Sequence, residues 1–189
     1  MSARRAASTH ADPSAAAQRA SRGRAGPRGA ASSHSAPTSA KRAQSNRGDR
    51  ALLLDTHVWV WLLAGEDTQM SAALPAQMER ASDIGECYVS DISAWEVATK
   101  SARHALPLSM DATAWTDEAA SAPGLNYIAV SREILVASAR LPVDALPDLA
   151  DRILVATALR HGLTVVTADQ SLLSFQISWP LFRILDARP

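Results

Sequence analysis

Ala51-Leu52-Leu53-Leu54-Asp55 places an acid immediately after a short run that is apolar at every position. A strand with one wet face alternates apolar and polar side chains, so an unbroken run predicts a strand buried on both faces of a parallel sheet. A helix over 58–64, closed by Gly65, is expected next. Near the other end, Leu163-Thr164-Val165-Val166-Thr167 gives the same arrangement, a β-branched strand pattern with Asp169 just beyond it.

Between these two strands the pattern predicts a helix over 71–81, with Leu74 and Met78 four apart on one face. A strand over 87–90 follows, then a helix capped by Ser90 or Asp91 that carries Glu96, and a further helix over 111–120. A strand is expected over 127–130, with a short helix capped by Ser131 running to 139. Pro147-Asp148 opens a strong helix over 149–161, stopped by Gly162. Residues 182–185 add a last, edge strand. Strands alternating with helices predict an α/β fold, with a parallel central sheet of four to five strands and helices on both faces. In such a sheet ligands bind outside the carboxyl ends of the strands. Asp55, Glu96, Asp151 and Asp169 all fall at strand ends or helix starts, where one crevice can collect them.

Composition separates this pattern from what precedes it. Residues 1–50 contain no Leu, Ile, Val, Phe, Tyr or Trp, and hold ten Lys+Arg against two Asp. Such a segment cannot bury enough apolar surface to offset its chain entropy, so a disordered basic extension is expected over 1–50 and a single domain over 51–189. The extension reads either as an arm that attracts nucleic acid non-specifically or as the product of a start site placed too far upstream. Residues 51–189 carry nine Lys+Arg and seventeen Asp+Glu, a net charge of −8. An acidic domain that handles phosphates needs bound cations or a partner to reverse its local field.

The only cysteine, Cys87, excludes an internal disulfide and reads as a buried strand residue. No apolar run reaches 18 residues and the arginine-rich start lacks a secretory signal's apolar stretch, so no membrane span and a cytoplasmic location are expected.

Each acid also has a structural reading. Asp55 and Asp169 are good helix caps, and Glu96 stands four residues before Lys100 for an ordinary ion pair. Ile92, Trp95 and the neighbouring alanines suggest a helix buried on much of its surface, in which an acid needs a purpose. Asp148 and Asp151 resemble a capping box, which assigns Asp148 to capping and aims Asp151 at the strand edge. Thr56 and His57 are placed to cap, pack or orient Asp55, Thr167 to hold Asp169 or a metal-bound water, and Arg152 to pair with a carboxylate or phosphate. Four convergent carboxylates repel one another unless cations neutralise them, and Mg²⁺ or Mn²⁺ suits an all-oxygen site.

The segments Leu52-Leu53-Leu54-Asp55-Thr56-His57-Val58-Trp59, Ile92-Ser93-Ala94-Trp95-Glu96-Val97, Leu149 through Ala158 and Val166-Thr167-Ala168-Asp169, in that order, resemble the PIN domain family, specifically VapC-type toxins of bacterial toxin–antitoxin pairs. The resemblance implies a three-layer α/β/α, Rossmann-like fold. It also implies a Mg²⁺- or Mn²⁺-dependent endoribonuclease in which Asp55, Glu96, Asp151 and Asp169 are the catalytic and metal-binding acids; Thr56, Thr167 and Arg152 support them by their own placement. RNA as substrate, a homodimer and a cognate antitoxin that covers the site complete what it implies. One departure is Pro147 before Asp148, where the family often has Pro after that acid, which puts Asp148 in doubt as a ligand. Two other readings compete. A haloacid-dehalogenase-like phosphatase or phospho-receiver would use Asp55, but such a phosphatase normally has a second Asp two residues on and position 57 is His. A non-catalytic PIN-like scaffold would tolerate loss of acids, and all four are present.

Overall fold

Strand β1 (Leu52–Leu54) lies at the centre of a five-stranded sheet in the computed structural model, which describes residues 51–108 and 110–189. The expected disordered extension over 1–50 lies outside the described residues. Strands β2 (Cys87–Ser90) and β3 (Asn126–Ile128) extend the sheet on one side, β4 (Thr164–Thr167) and β5 (Arg183–Asp186) on the other. Every pairing is parallel. The described helices are α1 (Thr56–Ala64), α2 (Leu74–Asp83), α3 (Asp91–Ala102), α4 (Ala112–Ala120), α5 (Arg132–Ser138), α6 (Leu149–His161) and α7 (Gln170–Ser178).

The unbroken apolar run of β1 is explained by the two cores that it serves. Successive side chains of a strand point to opposite faces. Leu53 accordingly packs with residues of α5, α6 and α7, including Ile134, Val155, Leu172 and Phe175. Leu52 and Leu54 pack with Trp59 of α1, Met78 of α2 and Ala119 of α4. The result is the expected three-layer α/β/α arrangement. Trp59 is the largest fully buried side chain, with the rings of Trp115 and Tyr127 edge-on at 5.0 and 6.1 Å. Trp59→Ala is expected to cost about 3–5 kcal/mol, seen as a lower urea midpoint at unchanged slope. A loss below about 1 kcal/mol would show that this layer does not stabilise the domain.

Helix α3 is the element that matters most for the site. It packs against α1 from one layer and α6 from the other, so it spans the carboxyl edge of the sheet. Val97 enters one core while Ile92 packs against the other.

Several boundaries differ from those expected, each for a local reason. Helix α2 starts at Leu74 rather than Ser71, with Pro75 in its first turn; residues 71–74 instead form a turn in which the Leu74 N–H donates to the Ser71 carbonyl at 2.9 Å. Strand β3 covers Asn126–Ile128 rather than 127–130. Its neighbour β2 ends at Ser90, opposite Ile128, so no partner remains beyond it. Helix α7 was not expected from the sequence, although Leu172 and Phe175 bury one face of it at helical spacing. The caps at Ser90, Ser131 and Asp148 and the left-handed stops at Gly65 and Gly162 are where the sequence places them. Cys87 is fully buried on β2, and burial pushes its thiol up to about 12, far from a reactive thiolate. Among the described residues no helix is long and apolar enough to cross a membrane.

Candidate functional site

Asp55 follows β1 directly, and its N–H extends the sheet ladder to the carbonyl of Val166 at 3.0 Å. The residue caps α1 in extended conformation and is only 5% exposed. Its Oδ1 accepts the Thr56 N–H at 2.6 Å, and its Oδ2 accepts the Thr167 hydroxyl at 2.6 Å. Burial raises its carboxyl above the ordinary carboxylate range. The nearby His57 and the Thr167 hydrogen bond oppose that rise, while Glu96 adds to it.

Thr167 joins two of the acids. While its hydroxyl donates to Asp55, its oxygen accepts the Asp169 N–H at 2.9 Å. Asp169 caps α7, its Oδ1 accepting the N–H groups of Ser171 and Leu172. A second bridge runs through His57, whose Nε2 accepts the Ala168 N–H at 2.9 Å and whose Nδ1 lies 3.5 Å from Asp55 Oδ2. An accepting Nε2 carries no proton, so this hydrogen bond assigns the ring proton to Nδ1, facing Asp55. His57 thus orients Asp55, as expected, and also braces the turn that carries Asp169. That second role depends on a partner 111 residues away and leaves no local signal in the sequence.

Glu96 lies in the second turn of α3. Its Oε2 accepts the Thr56 hydroxyl at 2.6 Å and its Oε1 lies 2.9 Å from Lys100 Nζ. The expectation that burial of α3 would mark this acid out is not met. Trp95 is 54% exposed and only Ser93 and Val97 of the helix are buried, because α3 lies along the sheet edge rather than across a face. Thr56 is what places Glu96, through a hydrogen bond between two helices.

Asp148 and Asp151 divide their roles as the capping-box spacing suggests. Asp148 Oδ1 accepts the N–H groups of Ala150 and Asp151. The Asp151 carboxyl is pushed up to about 7, first by burial and then by the charges of Asp55, Asp148, Asp169 and Glu96. All four acids singled out in the sequence therefore share one electrostatic neighbourhood, and Asp148 adds to it. Arg152, expected to pair with a carboxylate or phosphate, has its Nη1 donating to the Leu146 carbonyl at 3.3 Å, and its Nε is buried without a hydrogen-bond partner. The backbone before Asp148 captures this guanidinium.

Among the described residues no three Asp, Glu, His or Cys side chains form a ready-made metal cluster. The donor set nonetheless fits Mg²⁺ or Mn²⁺. Mg²⁺ is held by one or two carboxylates and keeps several waters, so it does not need a three-acid cage. A site whose acids raise one another's proton affinity is one that a hard divalent cation relieves.

Comparison with known proteins agrees with this architecture. Ribonuclease VapC22 of Mycobacterium tuberculosis is 28% identical over 130 residues, which cover 69% of this chain and 95% of that protein. A crystal structure of VapBC2 from Rickettsia felis, bound to a DNA fragment from its promoter, superposes with a TM-score of 0.52 at 13% identity. The superposition covers 72% of this chain and 98% of the other, and shows a common fold. Residues 52–176, which run from β1 into α7 and include every acid of the site, match the PIN domain, and the chain belongs to that family.

Proposed function

We propose that this protein is a Mg²⁺- or Mn²⁺-dependent endoribonuclease that acts as the toxin of a toxin–antitoxin pair. The observation that carries this reading is that Thr56 links Asp55 to Glu96 and Thr167 links Asp55 to Asp169 at the carboxyl edge of a PIN domain sheet, with the raised carboxyl of Asp151 in agreement. Similarity to a protein named a ribonuclease supports RNA as substrate, and the fold shared with a chain of the VapBC2 structure agrees with an antitoxin partner that covers the acidic edge. A homodimer is part of the same proposal.

Asp55, Glu96, Asp151 and Asp169 would hold the cation through carboxylate oxygens. Bound there, it supplies water activation and stabilisation of the departing oxygen in phosphodiester hydrolysis. Thr167 and Thr56 hold Asp55 Oδ2 and Glu96 Oε2 in fixed orientations. In the cation-free site burial and the surrounding acids push the Asp151 carboxyl up to about 7, and neutralising those charges would favour its carboxylate. With −8 on residues 51–189, approach of RNA also depends on bound cations or on the basic first fifty residues.

The test is cleavage of single-stranded and structured RNA with Mg²⁺ or Mn²⁺ and with EDTA. Internal cleavage that disappears in EDTA and returns with added cation is expected. Cleavage unaffected by EDTA would overturn the metal-dependent reading, and no cleavage with no Mn²⁺ binding at near-millimolar concentration would assign the domain to a scaffold.

A further inference from the structure

Lys100 is the cation that the acidic site already contains. Its Nζ lies 2.9 Å from Glu96 Oε1, while the other Glu96 oxygen is taken by Thr56. Glu96 therefore presents no unengaged carboxylate oxygen. The Lys100 side chain is 47% exposed, so its flexible stem leaves the head group room to move away without breaking the core.

We infer that Lys100 is a resident counter-cation of the acidic site, a positioning residue that holds Glu96 in the cation-free protein and competes with a divalent cation for that carboxylate. The inference rests on the proposed metal-dependent reading. Two like charges at one carboxylate repel each other, so a divalent cation held by Glu96 would compete with the ammonium for Oε1. Removing the ammonium leaves the acids less compensated when the site is empty and more attractive to a divalent cation.

The experiment is calorimetric titration of Mn²⁺ into the full 189-residue chain and its Lys100→Met, Lys100→Arg, Glu96→Gln and Glu96→Gln/Lys100→Met variants, with melting temperatures recorded in EDTA and in saturating Mn²⁺. Lys100→Met is expected to bind Mn²⁺ about three- to tenfold more tightly, because a unit charge within a few ångströms is removed from a partly screened site. It should melt lower than the unsubstituted protein in EDTA and gain more from Mn²⁺. Lys100→Arg, which keeps the charge, should behave as the unsubstituted protein. In the Glu96→Gln background the effect of Lys100→Met should shrink, since the shared carboxylate is gone. Unchanged or weaker Mn²⁺ affinity in Lys100→Met overturns the inference. Absence of Mn²⁺ binding by the unsubstituted chain instead overturns the metal-dependent reading on which it rests.

Discussion

If the proposed ribonuclease reading holds, Asp55→Asn is expected to lower RNA cleavage by about 10²–10³-fold or more while leaving the protein folded. Asparagine has the shape of the residue it replaces. Its amide oxygen can still accept the Thr56 N–H, and its NH₂ can face Thr167 Oγ, which has a second lone pair beside the one used by the Asp169 N–H. What the substitution removes is the charge. Burial already raises the Asp55 carboxyl, so loss of that charge relieves the cation-free fold rather than damaging it. Initial rates at fixed Mn²⁺ and urea midpoints in EDTA, measured on one preparation, separate the two effects. A variant within tenfold of the unsubstituted rate would exclude Asp55 from the reacting site. A variant that is slow only because it unfolds would show a lower midpoint, opposite to the expected result.

Asp151→Asn should flatten the pH dependence of stability in the cation-free protein. The Asp151 carboxyl has an ordinary value of 3.8 and is pushed up to about 7 in the folded chain. Between those values the native state holds a proton that the unfolded chain has released. Stability therefore falls as pH rises from about 4 to about 7, and the full cost is present above that range. At pH 8 the asparagine variant should be more stable by roughly 2 kcal/mol, a figure reduced for screening by nearby solvent, and near pH 4 the two proteins should be alike. Saturating Mn²⁺ should recover much of the same stability in the unsubstituted protein at pH 8. Parallel stability profiles for the two proteins in EDTA would show that the Asp151 carboxyl is not held in this field.

The fold was readable where one physical demand dominated the local sequence. Leu52-Leu53-Leu54 had to be a strand covered on both faces, and α6 announced itself by its proline entry, its Asp148 cap and its Gly162 stop. The limits of β3 were less readable, since they depend on where β2 ends. Helix α7 lay hidden behind the cap at Asp169. Its Leu172 and Phe175 spacing is helical, but the segment is short and its polar positions resemble a turn. In the acidic site, residue type and placement relative to the strands pointed to Asp55, Glu96, Asp151 and Asp169. Thr56 and Thr167 stood out as supporting residues, but their distant partners did not show, because Thr56 reaches 40 residues to Glu96 and Thr167 reaches 112 residues back to Asp55. Burial of α3 was the misleading argument, and the exposed Trp95 shows why: apolar composition does not say which side of a helix faces the protein.

The strand order carries a consequence for when this chain becomes competent. β1 is made early, yet one of its two neighbours in the sheet is β4, whose synthesis comes more than a hundred residues later. Asp55 receives its Thr167 hydroxyl only when that strand arrives. Such distant pairings close late, because the intervening loop entropy must be overcome first. A ribosome extending this chain therefore carries an incomplete acidic site until the segment holding Asp151, Thr167 and Asp169 has emerged and paired with β1.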